Sequence, residues 1–223
     1  MNNLKPAFLI LAILTPFLFL SACAVHHGPV YEKDGKTYGR VQGIFCSKWN
    51  DFYARGLTYV EGGFWQDAVR DMKESVRQRD GDQRRARTYG LHFTDYFPRR
   101  ELGIAYFNLN NYPEAISQLE KSLKQTPSAR AKYYLNKARR QSINESGGDT
   151  QLPQIAVTFP PPQYVTNAFS LDLAAAVSDD TFLEGIALNS TFKPLELSAR
   201  RIALSESIAL KPGKNNITLQ ARD

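Results

Sequence analysis

The most constraining feature of this chain is a pattern of small and aromatic residues between Leu102 and Pro127. Small side chains allow two helices to approach closely, and an aromatic side chain three positions later fills the space between them. The Asn110-Asn111 pair marks a turn between the two helices. The residues of the pattern are Gly103, Tyr106, Asn110, Tyr112, Ala115, Leu119, Leu123 and Pro127. This spacing predicts a pair of antiparallel helices.

The same pattern occurs a second time, earlier in the chain. When Gly103 of the template is placed on Gly56, the matching positions are Gly56, Tyr59, Gly63, Trp65, Ala68, Met72 and Val76. The pattern resembles the tetratricopeptide repeat, which has a period of about 34 residues and places small and aromatic residues in this order. The resemblance implies a stack of helical hairpins. The two units are further apart than consecutive repeats because residues 80–97 are inserted between them.

Apolar periodicity and helix-start signals predict five helices within residues 47–145, which we interpret as one tetratricopeptide-like domain. Pro98 and Pro113 stand at first-turn positions, where proline is favoured. The predicted helices span residues 47–61, 64–79, 98–109, 113–125 and 129–144. The fifth helix has a polar outer face and is expected to close the stack, because a repeat buries its apolar face only against a neighbour.

The resemblance also implies a binding groove formed by the first helix of each pair. The repeat's groove positions fall on Tyr53, Leu57, Val60 and Glu61 in the first unit, and on Arg100, Glu101, Ile104, Phe107 and Asn108 in the second. Such a mixture of aromatic, aliphatic and charged side chains suits a peptide or helix of a protein partner. The alternative is that some of these side chains contact the fifth helix or the insertion.

The insertion at residues 80–97 is rich in arginine and aromatic residues. Its candidates for a secondary binding site are Arg84, Arg85, Arg87, Tyr89 and His92. Arginine binds carboxylates or phosphates in a bidentate manner, and a neighbouring aromatic ring can stack on a ligand. The alternative is structural: the aromatic residues pack against the helices, and the arginines are solvated or pair with Asp80, Asp82 and Asp95.

Residues 1–22 are predicted to be a lipoprotein signal peptide. The apolar run 7–20 is shorter than the about 20 residues that a membrane-spanning helix needs, and it ends in Leu20-Ser21-Ala22-Cys23. This sequence resembles the lipobox of bacterial lipoproteins, which implies cleavage before Cys23 and its lipidation. Several acyl chains on one residue give stable anchoring. The alternative is an ordinary signal peptide, with Cys23 paired to Cys46.

The expected location is the bacterial cell envelope, with the lipid anchor in the outer membrane and the protein facing the periplasm. Some envelopes sort lipoproteins by the residue after the lipidated cysteine. Ala24 at this position is not aspartate, which resembles an outer-membrane address. If Cys23 is lipidated, Cys46 has no partner, and we expect its thiol to be buried rather than reactive.

Residues 23–46 are interpreted as a lipid-anchored tether with a short hairpin. Asp34-Gly35 lies between two short β-prone runs, a combination typical of two-residue hairpin turns. An extended spacer is the alternative. The adjacent His26 and His27 have no further ligands near them in sequence, so we interpret them as part of the tether rather than as a metal site.

Beyond a polar linker at residues 146–154, the chain changes to an alternating apolar pattern. Turns are predicted at residues 160–162, 178–180 and 211–215, and short alternating segments between turns are typical of a β-sandwich. Residues 155–223 resemble bacterial immunoglobulin-like modules of envelope proteins. The resemblance implies one more strand after Asp223, so we expect either an open edge for a partner strand or a sequence that has been shortened. Asp179 and Asp180 lack a third calcium ligand at suitable spacing, so a turn is expected there.

The predicted fold is therefore a tetratricopeptide-like α-helical repeat stack followed by a small immunoglobulin-like β-sandwich. Residues 49–140 carry a net charge of +6 and residues 141–223 a net charge of −3. A basic segment suits acidic proteins, envelope polymers or lipid headgroups, and nucleic acid is not expected as a partner of an envelope protein.

The sequence predicts a binding protein rather than an enzyme. It has three histidines and neither a glycine-rich phosphate loop nor a Gly-x-Ser-x-Gly motif, so no catalytic residue, cofactor or metal is expected. The leading hypothesis is a lipid-anchored envelope scaffold that binds a protein partner through its repeat groove. The alternatives are a lipoprotein that binds peptidoglycan or polysaccharide, and an accessory subunit of an envelope enzyme complex.

Overall fold

The computed structural model describes residues 28–223 and shows five helices followed by an antiparallel sheet. The predicted signal peptide, Cys23, Ala24 and the His26-His27 pair lie outside the described residues. In chain order the elements are β1 (Tyr31–Lys33), β2 (Lys36–Tyr38), α1 (Trp49–Gly62), α2 (Trp65–Gln78), β3 (Gln83–Arg87), β4 (Phe93–Tyr96), α3 (Pro98–Asn108), α4 (Tyr112–Gln125), α5 (Ala129–Glu145), β5 (Gln154–Phe159), β6 (Ser170–Leu188), β7 (Thr191–Ala209) and β8 (Leu219–Arg222). No helix among residues 28–223 is long and apolar enough to cross a membrane.

All five predicted helices are confirmed, with boundaries within two residues of the prediction. Their ends carry local signals. Gly63 closes α1 in the left-handed conformation, with φ +80°, which glycine adopts without strain. Asn111 and Ser128 cap α4 and α5, because each side chain accepts a backbone N–H of the first helical turn.

The helices pack as two antiparallel pairs, α1 with α2 and α3 with α4, and the small residues of the pattern lie at the contacts. A Cβ atom on Gly103 would lie 2.6 Å from Leu119 Cγ, and one on Gly56 would lie 2.9 Å from Met72 Cε. Ala115 is fully buried. In addition, α3 contacts both α1 and α5. The first helices of the two pairs and α5 therefore lie side by side.

Replacing Gly103 with valine is expected to separate α3 from α4 and to lower the free energy of unfolding by about 1–3 kcal/mol, the usual cost of overpacking. Urea denaturation of the variant would measure the loss. Lys121→Val, which places the same side chain at an exposed position of α4, is the matched control. An equal loss in both variants would contradict the role of Gly103 as the contact point.

A buried ion pair joins α1 to α2. The Arg55 Nε–H and one Nη–H donate to the two Asp71 carboxylate oxygens at 2.6 and 3.0 Å, and the side chains are only 4% and 1% exposed. The guanidinium carbon of Arg55 also lies 4.2 Å from the centre of the Phe45 ring. Removing charges from water is costly, so such a pair stabilises the fold only while both partners are present.

Asp71→Ala should lower the free energy of unfolding by about 3–5 kcal/mol, because Arg55 would then be buried without its carboxylate partner. In the double variant Arg55→Leu/Asp71→Leu both charges are removed, and we expect a smaller loss. Thermal and urea denaturation of the two variants would test the difference. If the double variant were less stable than Asp71→Ala, the ion pair would stabilise the fold beyond the mutual neutralisation of its two buried charges.

The predicted hairpin near the N-terminus is confirmed, and it packs on the helices. Tyr31 pairs with Tyr38 across β1 and β2, and the turn residues Asp34 and Gly35 have positive φ, as two-residue hairpin turns require. The Tyr31 ring stacks on Phe64 with centroids 4.0 Å apart, and its hydroxyl donates to Asp67 at 2.8 Å. The hairpin is therefore attached to the α1–α2 turn.

The expected burial of Cys46 is wrong, because its side chain is exposed. The loop before α1 is held by its backbone: the Cys46 N–H donates to the Asp51 carboxylate at 2.8 Å. Phe45, rather than the thiol, contributes the packing here, since its ring lies 5.1 Å from that of Phe52.

The insertion between the helix pairs forms a second hairpin, from β3 and β4. Its inner residues Ala86 and Tyr96 are fully buried, and the Tyr96 ring packs against Trp49 and Tyr53 of α1 with centroids 4.6 and 4.9 Å apart. The Tyr96 hydroxyl donates to the Arg79 carbonyl at 2.6 Å. The base of the hairpin is thus part of the helical core, as the structural interpretation of its aromatic residues predicted.

The C-terminal part is a four-stranded antiparallel sheet dominated by the long hairpin of β6 and β7, each 19 residues long. On its other edge, β6 pairs with β5 along its first half and with β8 along its second half. Its core consists of Leu173, Ala175, Val177, Leu183, Ile186 and Leu204. The antiparallel β part is confirmed, whereas the immunoglobulin-like sandwich stays a prediction.

The predicted turn at residues 178–180 is wrong, because β6 continues through it. The register with β7 shifts between Ser178 and Leu183, so a bulge bends the strand without ending it. The sequence predicted several short strands in this region. The structure instead has two long strands, β6 and β7, that each include more than one of the predicted segments. The hairpin turn lies instead at Asn189 and Ser190, which both have positive φ.

Candidate binding surfaces

Three of the predicted groove residues are buried and are therefore not available to a partner. Tyr53, Glu101 and Ile104 are 3%, 0% and 1% exposed. The Tyr53 hydroxyl accepts the Phe97 N–H at 3.1 Å, and burial raises the pKa of that hydroxyl well above its usual value. Ile104 packs in a cluster with Leu135 of α5. The fifth helix and the insertion cover these positions, which is the alternative that the sequence left open.

Glu101 is a buried counter-charge between two helices. Its carboxylate lies 2.7 Å from Arg100 on α3 and 3.3 Å from Arg130 on α5. The Arg100 guanidinium also lies over the Phe97 ring, 4.1 Å from its centre. The Glu101–Arg130 pair therefore joins α3 to α5, and the predicted contacts of Arg100 and Glu101 with a partner are replaced by contacts inside the fold.

The other predicted groove residues remain partly or fully accessible. Leu57 and Phe107 are half-buried, and both pack against the core cluster that contains Tyr106. Glu61 is exposed and forms an ion pair with Lys36 of β2 at 3.0 Å. Asn108 is exposed, and its side-chain amide donates to the Ile104 carbonyl at 2.8 Å.

The accessible end of α3 continues onto α5, where sequence reasoning assigned no site. The Phe107 and Tyr134 rings meet edge to face with centroids 5.5 Å apart. Lys137 Nζ lies 5.7 Å from the centre of the Phe107 ring and 5.2 Å from that of Tyr133, and Tyr133 is 56% exposed. We call this set the α3–α5 aromatic surface: Phe107, Asn108, Tyr133, Tyr134 and Lys137. The sequence analysis treated α5 as the helix that closes the stack. Treating it as the first helix of a third repeat unit would have predicted the α3–α5 aromatic surface.

The predicted secondary-site residues lie on the β3–β4 hairpin and do not enclose a pocket. Arg84, Arg85, Arg87, Tyr89 and His92 are all exposed. Two of the three acids expected to pair with the arginines are engaged elsewhere, since Asp80 pairs with Arg99 at 2.6 Å and Asp82 accepts the Arg99 backbone N–H at 3.0 Å. Within residues 28–223, none of these three arginines forms an ion pair.

A side-chain amide joins the helical part to the sheet. The Asn136 amide donates to the Glu196 carbonyl at 3.2 Å and accepts the Ser198 N–H at 3.0 Å, so it pairs with the edge of β7 as a neighbouring strand would. The adjacent Arg139 donates to the Ser198 carbonyl at 2.6 Å and to Glu120 of α4 at 2.8 Å.

A cavity of about 650 Å³ opens beside this junction. Its lining carries both signs of charge: Arg139, Arg140, Asp149, Glu184, Arg222 and Asp223. Arg140 pairs with Glu184, and the Arg139 guanidinium lies 4.1 Å from the centre of the Phe182 ring. Because Arg140 of α5 pairs with Glu184 of β6 and Arg139 of α5 donates to Ser198 of β7, we assign this part of the lining a role in docking α5 on the sheet.

Three carboxylates meet beside the cavity, where β6 bends. Asp149, Asp179 and Asp223 each place an oxygen within 4.8 Å of the others. Carboxylate oxygens are of the type that calcium prefers, but the Thr181 hydroxyl already donates to Asp149, and the Thr181 backbone N–H donates to Asp179 at 3.1 Å. The first of these bonds lowers the pKa of Asp149. Since Thr181 already binds two of the three carboxylates, Asp149 and Asp179, we assign no metal to the grouping.

Asn136→Ala should remove both hydrogen bonds to the edge of β7 and accelerate hydrogen exchange of the Ser198 amide by about fivefold to tenfold, since a net hydrogen bond contributes about 1 kcal/mol. Exchange measured by NMR would show this. Gln141→Ala, at an exposed position of the same helix, is the control. Unchanged exchange at Ser198 would show that the Asn136 amide does not protect the strand.

The described surface thus offers one aromatic patch on the helices and one basic hairpin. Helix packing brings the aromatic patch together from α3 and α5, whereas the basic hairpin is one continuous segment of the chain. No protein-family model matches this chain, and no curated protein is significantly similar to it.

Proposed function

We propose that this protein is a lipid-anchored scaffold of the bacterial cell envelope that holds a protein partner on its helical part. The observation that carries the proposal is the α3–α5 aromatic surface, where Phe107, Tyr133 and Tyr134 lie together with Lys137. Anchoring at the outer membrane would confine this surface to the periplasmic side and raise its effective concentration for partners there.

The close helix contacts support a tetratricopeptide-like identity for residues 47–145. Glycines in equivalent positions of the two pairs, Gly56 and Gly103, lie where a Cβ would collide with the second helix. The equivalent alanines Ala68 and Ala115 are fully buried. Such repeats expose the row formed by their first helices, and here that row ends in the α3–α5 aromatic surface.

The composition of this surface suits a protein partner better than a small molecule. Tyrosine and phenylalanine are enriched in the centres of protein interfaces, where they bury a large area at a low cost in side-chain entropy. The ring contacts of Tyr134 with Phe107 and Tyr133 hold the side chains in place before binding. This order reduces the entropy lost on association.

The attached N-terminal hairpin supports a short connection to the membrane. Gly28 lies against α1 and α2, where a Cβ would approach the Tyr59 hydroxyl and Arg55, and the Tyr59 hydroxyl donates to the Pro29 carbonyl at 2.6 Å. Gly28 follows Cys23 by five positions, a reach of about 16–18 Å when extended. Lipidation of Cys23 would therefore hold the helical part close to the bilayer.

We also propose that the β part is an immunoglobulin-like module. Its alternating apolar residues form one cluster from both halves of the bent β6–β7 hairpin and from β8. This arrangement supports the opposed faces that a sandwich requires.

The test is a crosslinked pull-down of the full chain from intact envelopes, comparing the unaltered protein with Tyr133→Ser/Lys137→Glu. These two positions are exposed, so the fold should be retained, and we expect the recovered partner to fall at least about tenfold, as for interface hot spots. Arg100→Glu is unsuitable because it would place a second carboxylate beside buried Glu101.

Tyr164→Ser/Lys214→Glu is the matched control, because it makes the same two changes at exposed positions of the C-terminal part. Retention of every partner by the Tyr133/Lys137 variant would refute the assigned surface. Recovery of cell-wall fragments alone would instead favour the binding of an envelope polymer.

A further inference from the structure

The tip of the β3–β4 hairpin exposes apolar side chains far beyond what packing requires. Tyr89 and Leu91 are 81% and 86% exposed, and Phe93 at the start of β4 is 47% exposed. All three lie within five residues of one another on a single turn. In contrast, Ala86 and Tyr96 at the base of the hairpin are fully buried. The hairpin is therefore anchored at its base and apolar at its tip.

The tip is held by its own hydrogen bonds. The Thr88 N–H donates to the His92 carbonyl at 2.9 Å, and the His92 N–H donates to the Tyr89 carbonyl at 2.8 Å. Arg87 Nε–H donates to the Gly90 carbonyl at 2.6 Å, while Arg79 at the end of α2 donates to the Arg87 carbonyl at 3.0 Å. These bonds fix the turn without using the Tyr89 or Leu91 side chains.

The strand behind the tip is basic. Residues 83–93 contain three arginines and neither aspartate nor glutamate. Arg84, Arg85 and Arg87 are exposed, and the Arg85 guanidinium lies 5.0 Å from the centre of the Phe93 ring. An apolar tip with guanidinium groups behind it matches the order of layers in an anionic bilayer, in which phosphate groups lie above the acyl chains.

From this geometry we infer that the β3–β4 hairpin is a membrane-docking element. It inserts Tyr89 and Leu91 into the interfacial layer of a bilayer, while Arg84, Arg85 and Arg87 bind the phosphate groups of anionic lipids. A protein interface buries about 800 Å² on each partner around a packed centre, which a two-residue projection does not offer. A bilayer surface accepts such a projection without a complementary pocket.

This inference goes beyond the proposed partner binding and is independent of it. The α3–α5 aromatic surface and the hairpin share no residue, so each can fail alone. If both are correct, the N-terminal lipid and the hairpin form two attachment points on the bilayer, and two linked attachments bind more tightly than either one.

The test places a reporter at the tip of the full chain, reconstituted into vesicles. Leu91→Trp keeps the tip apolar, and the signal of Trp49 and Trp65 is subtracted with the unaltered protein. The vesicles contain phosphatidylcholine alone or equal parts of phosphatidylcholine and phosphatidylglycerol, each with and without brominated acyl chains. We expect blue-shifted emission that brominated lipid quenches in the anionic vesicles, and little change in the neutral ones.

Two matched variants separate the charge from the apolar tip. Adding Arg84→Gln/Arg85→Gln to Leu91→Trp should lower the ratio of docked to free hairpin about tenfold or more, since each arginine near an anionic surface contributes about a fivefold factor. Arg200→Gln/Arg201→Gln, a neighbouring exposed pair on β7, should leave the ratio unchanged. Val165→Trp, at a position 88% exposed in the C-terminal part, should remain unquenched.

Three results would overturn the inference. The first is an emission maximum of the Leu91→Trp variant that, with anionic vesicles present, stays at the wavelength of water-exposed tryptophan. The second is quenching that is the same for the Arg84/Arg85 variant, or for Val165→Trp. The third is a blue shift that appears only when envelope proteins are added without lipid, because the hairpin would then contact a protein.

Discussion

The close approach of paired helices is the constraint on which the rest of this structure depends. A Cβ on Gly103 would lie 2.6 Å from Leu119, and one on Gly56 would displace the end of the Met72 side chain, so both helix contacts are close. A single pair of helices cannot enclose a core, so each pair buries its apolar side only against the next element. This requirement brings α1, α3 and α5 side by side and thereby places Phe107 against Tyr134.

Buried charges then fix how the helices are arranged relative to one another. Arg55 and Asp71 join the members of the first pair, while Glu101, which also pairs with Arg100 on its own helix, joins α3 to α5 through Arg130. Apolar contacts alone tolerate sliding of one helix along another, whereas a charge buried without its partner is strongly unfavourable. The ion pairs therefore select one arrangement of the helices and, with it, one shape for the exposed surface.

The local part of this fold could be predicted from sequence, and the long-range part could not. Helices and their ends follow from apolar periodicity and from Pro98, Pro113 and Ser128, which act within a few residues. The burial of Tyr53 and Glu101 depends on elements distant in sequence, so a template of the repeat placed them on the surface. Likewise, Asp179 and Asp180 resemble a turn in the local sequence. Pairing with the long strand β7 instead keeps these residues within β6, as a bulge.

The way in which Asn136 occupies the edge of β7 limits how this sheet can grow. An open strand edge can recruit another strand, and a sheet with two open edges can extend without end. Here α5 covers the backbone near Glu196 and Ser198 on one side, while β5 and β8 form the opposite side. Because α5 already occupies the backbone groups of Glu196 and Ser198, an added strand could not pair with the edge of β7 along its full length.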